Sequence, residues 1–256
     1  MKYLYLFLFL LGASAQANDH APLVIGMELS YPPFEMTDTK GNPSGISVEI
    51  ARDLGKFLQR EVRIENISFD GLIPSLKTGK IDLILSSMTA TPERAQAIAF
   101  SDPYLTTGLC LLLPKKSTLN DITELNNTTK TVAVKKGTTG HLYALSTLPK
   151  ARLLVLDKES SAVLEVIQNK ADAFIYDQMS VFKNAQKSPD LLRAQLQPFQ
   201  LESWAIGLRT KDKDLKFQVN AFIQDYRKNG GFTRLGDLYL KEQKDAFKQQ
   251  SVPFIF

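Results

Sequence analysis

One short segment carries residue types that could hold a small carboxylate. Residues 86–94 read SSMTATPER, and they leave a predicted strand and enter a predicted helix. In an open α/β sheet, ligands bind at this carboxyl edge of the strands, and a helix start offers free N–H groups. Arg94 could add a bidentate clamp, while Ser87 and Thr89 add polar oxygens. Because a cation in the first helical turn is unfavourable without a nearby anion, we favour a carboxylate site over a solvated arginine.

Two further positions could complete such a site. Asp177 ends a predicted strand over 171–176 and could bind an ammonium group, although a capping role would also account for it. Residues 137–140 read GTTG after another strand. They could present backbone N–H groups to an anion, although a plain turn would also account for them. Both alternatives stay open at this point.

Hydrolytic, metal and nucleotide chemistry lack their usual residues. Among the 256 residues, Cys110 is the one cysteine and lies in an apolar run, while His20 and His141 are the two histidines. A buried thiol and an exposed helix-start histidine are the favoured interpretations. No G-x-S-x-G, Walker or G-x-G-x-x-G pattern occurs. The net charge of +4 includes no long run of like charges, which does not indicate nucleic acid as a partner. We predict no catalytic residue, no metal and no cofactor.

The amino-terminal segment predicts export. Residues 1–17 combine Lys2, an apolar run over 3–11 and a closing A-x-A pattern, which is typical of a cleavable signal peptide. A membrane anchor is the alternative, but nine residues span only about 14 Å as a helix, against about 30 Å of bilayer core. No cysteine lies near the cleavage point, so we do not expect a lipoprotein. The expected location is the periplasm.

The remaining chain alternates strand and helix, which predicts an α/β fold. Prolines exclude a helix over 31–34, residues 40–45 form a predicted turn, and Thr91 with Pro92 is a helix start. Strands are predicted over 23–27, 62–67, 81–85, 109–113, 131–134, 153–156, 171–176 and 204–208, and helices over 48–58, 70–76 with Asp70 as cap, from 91, from about 141, and over 160–169, 213–228 and 232–244. The order predicts a discontinuous lobe 1 over 18–113 and 205–256, and a lobe 2 over 114–204.

Several stretches resemble the bacterial periplasmic polar amino-acid-binding proteins of ABC importers (solute-binding protein family 3). They read SYPPFE (30–35), GISVEIARDL (45–54), FDGLIPSLKTGKIDLILSSMTATPER (69–94), AFSDPY (99–104), VAVKKGTTG (132–140) and ADAFIYD (171–177). The resemblance implies a type II periplasmic-binding-protein fold, with two α/β lobes joined by two hinge strands. It also implies a monomeric receptor that closes on a free L-amino acid and delivers it to an inner-membrane ABC permease.

The resemblance also implies roles for particular residues. The ligand carboxylate would meet Arg94 and the N–H groups of Thr89 and Thr139. The ammonium would meet Asp177, the Thr89 hydroxyl and the Ser87 carbonyl. The side chain would lie between Tyr31 and Phe69, with Glu28 and Lys135 at its polar end, and Met88 completes the expected set. One departure is Ser47, which stands where the family usually has an acid that helps to hold cationic side chains in some relatives.

Glu28 and Lys135 leave the ligand open between an arginine- or lysine-type cation and glutamine. Two other functions also remain as alternatives: an enzyme on the same fold, similar to cyclohexadienyl dehydratase, and an amino-acid sensor. The intact pair of Arg94 and Asp177 favours a binding protein over the enzyme. A sensor is expected to carry a further domain or a spanning helix.

Overall fold

The computed structural model describes residues 21–252, so the predicted signal peptide over 1–17 lies outside the described residues. The strands are β1 (Leu23–Met27), β2 (Ser30–Tyr31), β3 (Glu35–Thr37), β4 (Pro43–Ser44), β5 (Val62–Asn66), β6 (Leu83–Ile84), β7 (Ala99–Pro114), β8 (Thr131–Lys135), β9 (Arg152–Leu156), β10 (Ala173–Asp177) and β11 (Leu192–Leu208). The α-helices are α1 (Ile46–Leu58), α2 (Leu72–Lys77), α3 (Pro92–Ala95), α4 (Thr139–Thr147), α5 (Glu159–Ile167), α6 (Gln178–Lys187), α7 (Lys213–Lys228), α8 (Gly231–Tyr239) and α9 (Lys241–Gln249).

Eight strands form one mixed sheet in the order β5-β1-β6-β11-β7-β10-β8-β9. The three strands at each end are parallel to one another, as the alternating pattern predicts. The two long strands between them are antiparallel to each other and to their outer neighbours. Each end of the sheet is therefore a parallel α/β lobe, and β7 and β11 are the two strands that join the lobes. The predicted two-lobed α/β fold is confirmed.

The long strands were predicted only in part, because each was recognised from one apolar end. β7 covers 16 residues and β11 covers 17. They pair from Leu192 opposite Pro114 to Leu208 opposite Ala99, with irregularities near Gln195, Gln200 and Trp204. Polar and proline residues inside the two strands hide the strand pattern in the sequence. In the structure, the pairing of β7 with β11 keeps these residues in strands. The predicted lobe boundaries at 113/114 and 204/205 stay a prediction.

Four local predictions need correction or adjustment. Asp70 does not cap a helix: it lies within a short 3₁₀ turn, Phe69–Gly71, that precedes α2, and its carboxylate pairs with Lys136 at 3.0 Å. The helix expected from about 141 begins at Thr139, because the Thr138 hydroxyl accepts from the His141 N–H. The helix expected over 232–244 is two helices that meet at Leu240. The strand expected over 81–85 is reduced to β6.

A small sheet, β2-β3-β4, lies beside the main one and is fixed to the start of α1. The Ile46 N–H donates to the Pro33 carbonyl at 3.0 Å, and the Ser47 N–H donates to the Phe34 carbonyl at 2.8 Å. Helix α1 buries apolar residues at helical spacing, Ile46, Ile50 and Leu54 among them, against the main core. This packing holds the segment that carries Tyr31 and Glu35 in place.

The core lies on both faces of the main sheet. Along β7, Cys110 and Leu112 belong to one apolar cluster, while Leu109, Leu111 and Leu113 belong to another, because successive strand side chains point to opposite faces. Burial raises the pKa of the Cys110 thiol well above its usual range, which agrees with an inert thiol. Within residues 21–252, no helix is long and apolar enough to cross a membrane.

Candidate ligand-binding site

A cleft between the two lobes collects most of the predicted site residues. Its lining comes from the carboxyl ends of parallel strands in both lobes and from β11, as expected for an open α/β sheet. The lining residues are Glu28, Tyr31, Glu35, Phe69, Ser86, Ser87, Thr89, Arg94, Leu109, Thr138, Thr139, Gly140, Tyr176, Asp177, Glu202 and Trp204. Eight of the ten residues predicted for the site are in this set, and Met88 and Lys135 are not.

Arg94 joins the two sides of the cleft. Helix α3 begins as predicted, with Pro92 in its first turn and the Thr91 hydroxyl accepting from the Arg94 N–H. The guanidinium, only 7% exposed, donates from Nη1 to the Thr89 carbonyl at 2.7 Å and from Nη2 to the Gly137 carbonyl at 3.0 Å. Burial lowers the pKa of Arg94, opposed by the Glu202 carboxylate. Because two backbone carbonyls orient the guanidinium, its remaining N–H groups are available to an anion.

Asp177 serves as a helix cap and also faces the cleft. Its Oδ1 accepts from the N–H groups of Met179 and Ser180 at the start of α6, and from the Tyr31 hydroxyl at 2.6 Å. Burial raises the pKa of the Asp177 carboxyl to about 7, although the hydrogen bond from Tyr31 lowers it. The capping interpretation is therefore confirmed, and the carboxylate is still placed where an ammonium group could reach it.

Glu28 and Lys135 form an ion pair across the cleft. The Lys135 ammonium contacts Glu28 Oε2, and Lys135 is only 2% exposed. The Glu28 backbone is itself held by the Ser86 hydroxyl at 2.9 Å. The ring of Phe69 lies beneath two cations, with Lys135 Nζ and Arg94 Cζ each 5.5 Å from its centroid. Lys135 therefore contacts two residues that line the cleft, Glu28 and Phe69, but does not line the cleft itself.

Glu35 is a cleft residue that the sequence analysis did not assign. Its Oε2 accepts from the Ser47 hydroxyl at 2.6 Å and from the Ser87 hydroxyl at 3.1 Å. Burial raises the pKa of the Glu35 carboxyl to about 8, while the two serine hydrogen bonds lower it. Ser47, which stands in place of an acid, therefore contacts an acid. Two features of the sequence could have indicated this role for Glu35. It directly follows the 31–34 segment, and serine stands at position 47, where the family usually has an acid.

Glu202 is the second unassigned carboxylate, and it lies on β11. Its Oε2 accepts from the hydroxyls of Thr89 at 3.0 Å and Thr139 at 3.1 Å, one from each side of the cleft. Its Oε1 accepts from Gln200 Nε2 at 3.2 Å. Burial raises the pKa of Glu202, and the two threonine hydroxyls act in the opposite direction. No local pattern in the sequence marks this residue, because both threonines are distant along the chain.

Met88 and His141 do not supply groups to the cleft lining. The Met88 side chain is 1% exposed and packs in an apolar cluster with Leu72 and Ile98, while its carbonyl accepts from the Ala205 N–H. His141 Nδ1 accepts from the Gly137 N–H at 3.3 Å, and burial lowers the pKa of the imidazole. No group of three or more His, Cys, Asp or Glu residues within the described chain is arranged to hold a metal ion.

Comparison with known proteins finds similar sequences and similar folds. The L-arginine-binding protein of Pseudomonas aeruginosa is 30% identical over 227 residues, which are 85% of this chain and 87% of that protein. The L-cystine-binding protein TcyJ of Escherichia coli is 25% identical over 228 residues, 88% of this chain and 85% of that protein. The crystal structure of the ancestral amino acid-binding protein AncCDT-1, a precursor of cyclohexadienyl dehydratase, matches with a TM-score of 0.79 and 31% identity, covering 85% of this chain and 94% of that one.

A sequence profile places these similarities in one family. Residues 23–242 match the bacterial extracellular solute-binding proteins, family 3, a match that includes every element of the two lobes up to the start of α9. The chain belongs to the bacterial extracellular solute-binding proteins, family 3.

Proposed function

We propose that this protein is a monomeric periplasmic receptor that captures a polar or cationic L-amino acid by lobe closure and delivers it to an inner-membrane ABC permease. The observation that carries the proposal is the cleft itself, which presents a buried guanidinium, Arg94, and a buried carboxylate, Asp177. An amino acid in its zwitterionic form carries the two complementary charges. The names of the two relatives, which specify arginine and cystine, support an amino-acid ligand.

The proposed clamp would hold the α-carboxylate and the α-ammonium of the ligand. The ligand carboxylate would accept from Arg94 and from the N–H groups of Thr89 and Thr139. The ammonium would donate to Asp177, to the Ser87 carbonyl and to the Thr89 hydroxyl. Because the Thr89 hydroxyl gives its proton to Glu202, its oxygen is left as an acceptor, which suits an ammonium donor.

The charges that line the cleft favour a cationic side chain. Four acidic side chains line it, those of Glu28, Glu35, Asp177 and Glu202, and Arg94 is the basic residue among the described lining residues. Lys135 offsets Glu28. An acidic ligand would add a further negative charge and should be rejected. Arginine or lysine suits the acid excess best, while glutamine remains the neutral alternative because its amide can donate to a carboxylate.

A ligand panel followed by two clamp variants tests the proposal. We expect a thermal-shift screen of the twenty L-amino acids to stabilise the protein with a cationic or polar member, and calorimetry to measure its affinity. Arg94→Ala and Asp177→Ala should each weaken binding about 30-fold or more, because breaking a buried charge-assisted pair costs roughly 2–5 kcal/mol. Arg52→Ala, which removes an exposed arginine paired with Glu49, is the matched control and should bind normally. Clamp variants that bind within threefold of the wild type would refute the proposed site.

An enzyme on this fold is the second candidate, favoured by the similarity to a precursor of cyclohexadienyl dehydratase and by the buried acid Glu35. Relatives named as binding proteins support the receptor. Incubation of the protein with each ligand that stabilises it, followed by chromatography, should recover the ligand unchanged. A new product formed in proportion to protein concentration would favour the enzyme.

A further inference from the structure

Among the described residues, two acids, Glu28 and Glu35, and one lysine, Lys135, are neighbours at one end of the cleft. Lys135 contacts Glu28 directly. Glu35 lines the same cleft and forms no ion pair among the described residues. We propose that Glu35 is the specificity-determining acid of the site and receives the cationic end of the ligand side chain. This inference rests on the proposed amino-acid receptor and deepens it by naming the ligand class.

Glu35 accepts hydrogen bonds within residues 21–252, but none of them comes from a positively charged group. Both donors, Ser47 and Ser87, are neutral hydroxyls, and both donate to Oε2. The described part of the chain donates no hydrogen bond to Oε1. This atom is nevertheless not one of the fully buried atoms that lack a partner. A carboxylate in this setting lacks a counter-charge, and burial of an unpaired charge is costly. A guanidinium or ammonium entering the cleft would supply the missing charge.

The surroundings of Glu35 raise the pKa of its carboxyl and so favour the protonated form near neutral pH. Among the charged neighbours of Glu35, Glu28 interacts unfavourably with its negative charge, and Lys135 interacts favourably. Together with burial they hold the pKa of Glu35 at about 8, so the group is roughly nine-tenths protonated at pH 7. A cation bound at Oε1 favours the carboxylate form. The proton then leaves Glu35 and passes to the buffer, whereas a neutral side chain leaves Glu35 protonated.

L-Arginine and L-citrulline separate these outcomes, because citrulline replaces the guanidinium by a neutral urea of nearly the same shape. Both ligands carry the same carboxylate and ammonium, so any titration of Asp177 affects them equally. Calorimetry in two buffers of different ionisation enthalpy counts the protons released. For the wild type at pH 7 we expect arginine to release close to one proton more than citrulline, with arginine preferred about 30-fold or more.

Glu35→Gln is the test variant, and Glu159→Gln is its control. Glu159 is a buried acid whose pKa is also raised, but it is bonded to Ser180 and Asn184 and does not line the cleft. We expect Glu35→Gln to abolish the difference in proton release between arginine and citrulline and to reduce the preference for arginine to less than threefold. We expect Glu159→Gln to keep both. The ratio of arginine to citrulline affinity in the wild type should also rise up to tenfold per pH unit below about pH 8 and then level.

Three different results would contradict, respectively, the proposed function, the role of Glu35 and the cationic ligand class. If no amino acid binds the wild type, the proposed function fails and this inference fails with it. If arginine releases no more protons than citrulline, and Glu35→Gln keeps its preference for arginine, the receptor stands and the role of Glu35 is wrong. If the wild type prefers citrulline or glutamine to arginine, the receptor likewise stands and the cationic ligand class is wrong.

Discussion

Asp177 shows how one carboxylate can serve the fold and the site together. Its Oδ1 accepts from two backbone N–H groups at the start of α6 and from the hydroxyl of Tyr31, which belongs to the other lobe. Capping alone would leave the carboxylate in water, where it would stay ionised. Burial in the cleft instead brings its pKa to about 7. The residue therefore contributes to folding, to lobe contact and to the expected ammonium site.

This burial predicts a pH-dependent stability. The native state holds the Asp177 proton up to about pH 7, while an unfolded chain releases it near pH 3.8. Stability contributed by the protonated form is therefore full below about pH 4 and is lost as the pH rises to about 7. Asp177→Asn keeps the capping oxygen and removes the titration. We expect this variant to be more stable than the wild type by roughly 2–4 kcal/mol at pH 8, and about equally stable at pH 4, in urea unfolding.

The exposed cap Asp121 provides the opposite case. Hydrogen bonds from Thr123 lower the pKa of its carboxyl, so Asp121→Asn should give no stabilisation at pH 8. The interpretation of Asp177 fails if its asparagine variant is less stable than the wild type at pH 8, or if the difference between the two proteins does not change with pH.

At the residue scale, the sequence predicted the groups whose neighbours are local. Arg94 follows from the helix start that Thr91 and Pro92 define, and the structure places it in the cleft. Glu202 could not be predicted in the same way, because its threonine partners lie 113 and 63 residues away along the chain. Glu35 likewise receives its hydroxyl partners from α1 and from the segment after β6. Side-chain contacts between distant elements decide such roles.

At the scale of elements, the start of α1 determines where the small sheet and its cleft residues lie. Gly45 has a φ of +109°, and a Cβ there would lie 2.5 Å from the Phe34 carbonyl oxygen and 2.6 Å from that of Pro33. These carbonyls accept the first N–H groups of α1. Only glycine combines this backbone conformation with such a close approach.

Gly45→Ala should therefore destabilise the protein. We expect a loss of roughly 2–4 kcal/mol in urea unfolding, because strain at φ is combined with a backbone clash. Gly41→Ala is the matched control: Gly41 also has a positive φ, +84°, but nothing lies within 4 Å of its added Cβ. It should lose about 1 kcal/mol. Equal losses in both variants would show that the conformation alone matters and that the close approach to the Pro33 and Phe34 carbonyls does not.

The elements that the sequence failed to predict are those whose extent depends on a partner. The apolar ends of β7 and β11 identified these strands, but their length comes from pairing with each other across the whole sheet. Helices α8 and α9 carry helical patterns in direct succession, so the break at Leu240 was not visible. By contrast, α7 has the predicted bounds, Lys213–Lys228, because its amphipathic pattern is long and uninterrupted.

At the scale of the whole molecule, side chains hold the lobes together across the cleft. The contacts include the Glu28–Lys135 pair, the Tyr31–Asp177 hydrogen bond and the Asp70–Lys136 pair. The C-terminal helix α9 also packs against α6 of the other lobe. The ring centroids of Phe247 in α9 and Phe182 in α6 are 5.3 Å apart. β7 and β11 are the strands that run between the lobes. Because several of these contacts use residues proposed to bind the ligand, binding and closure should be linked.

Scattering measurements on the full mature protein can test that link. A compact chain of about 239 residues has a radius of gyration near 18 Å, and a molecule whose lobes separate is larger. We expect the radius to decrease toward this value when the preferred amino acid is added, because the ligand adds contacts that exist only when both lobes meet it. Arg94→Ala should show no decrease at the same ligand concentration, since it lacks the carboxylate clamp. If saturating ligand leaves the wild-type curve unchanged while calorimetry shows binding, the lobes do not close on the ligand, and the contacts between them are permanent.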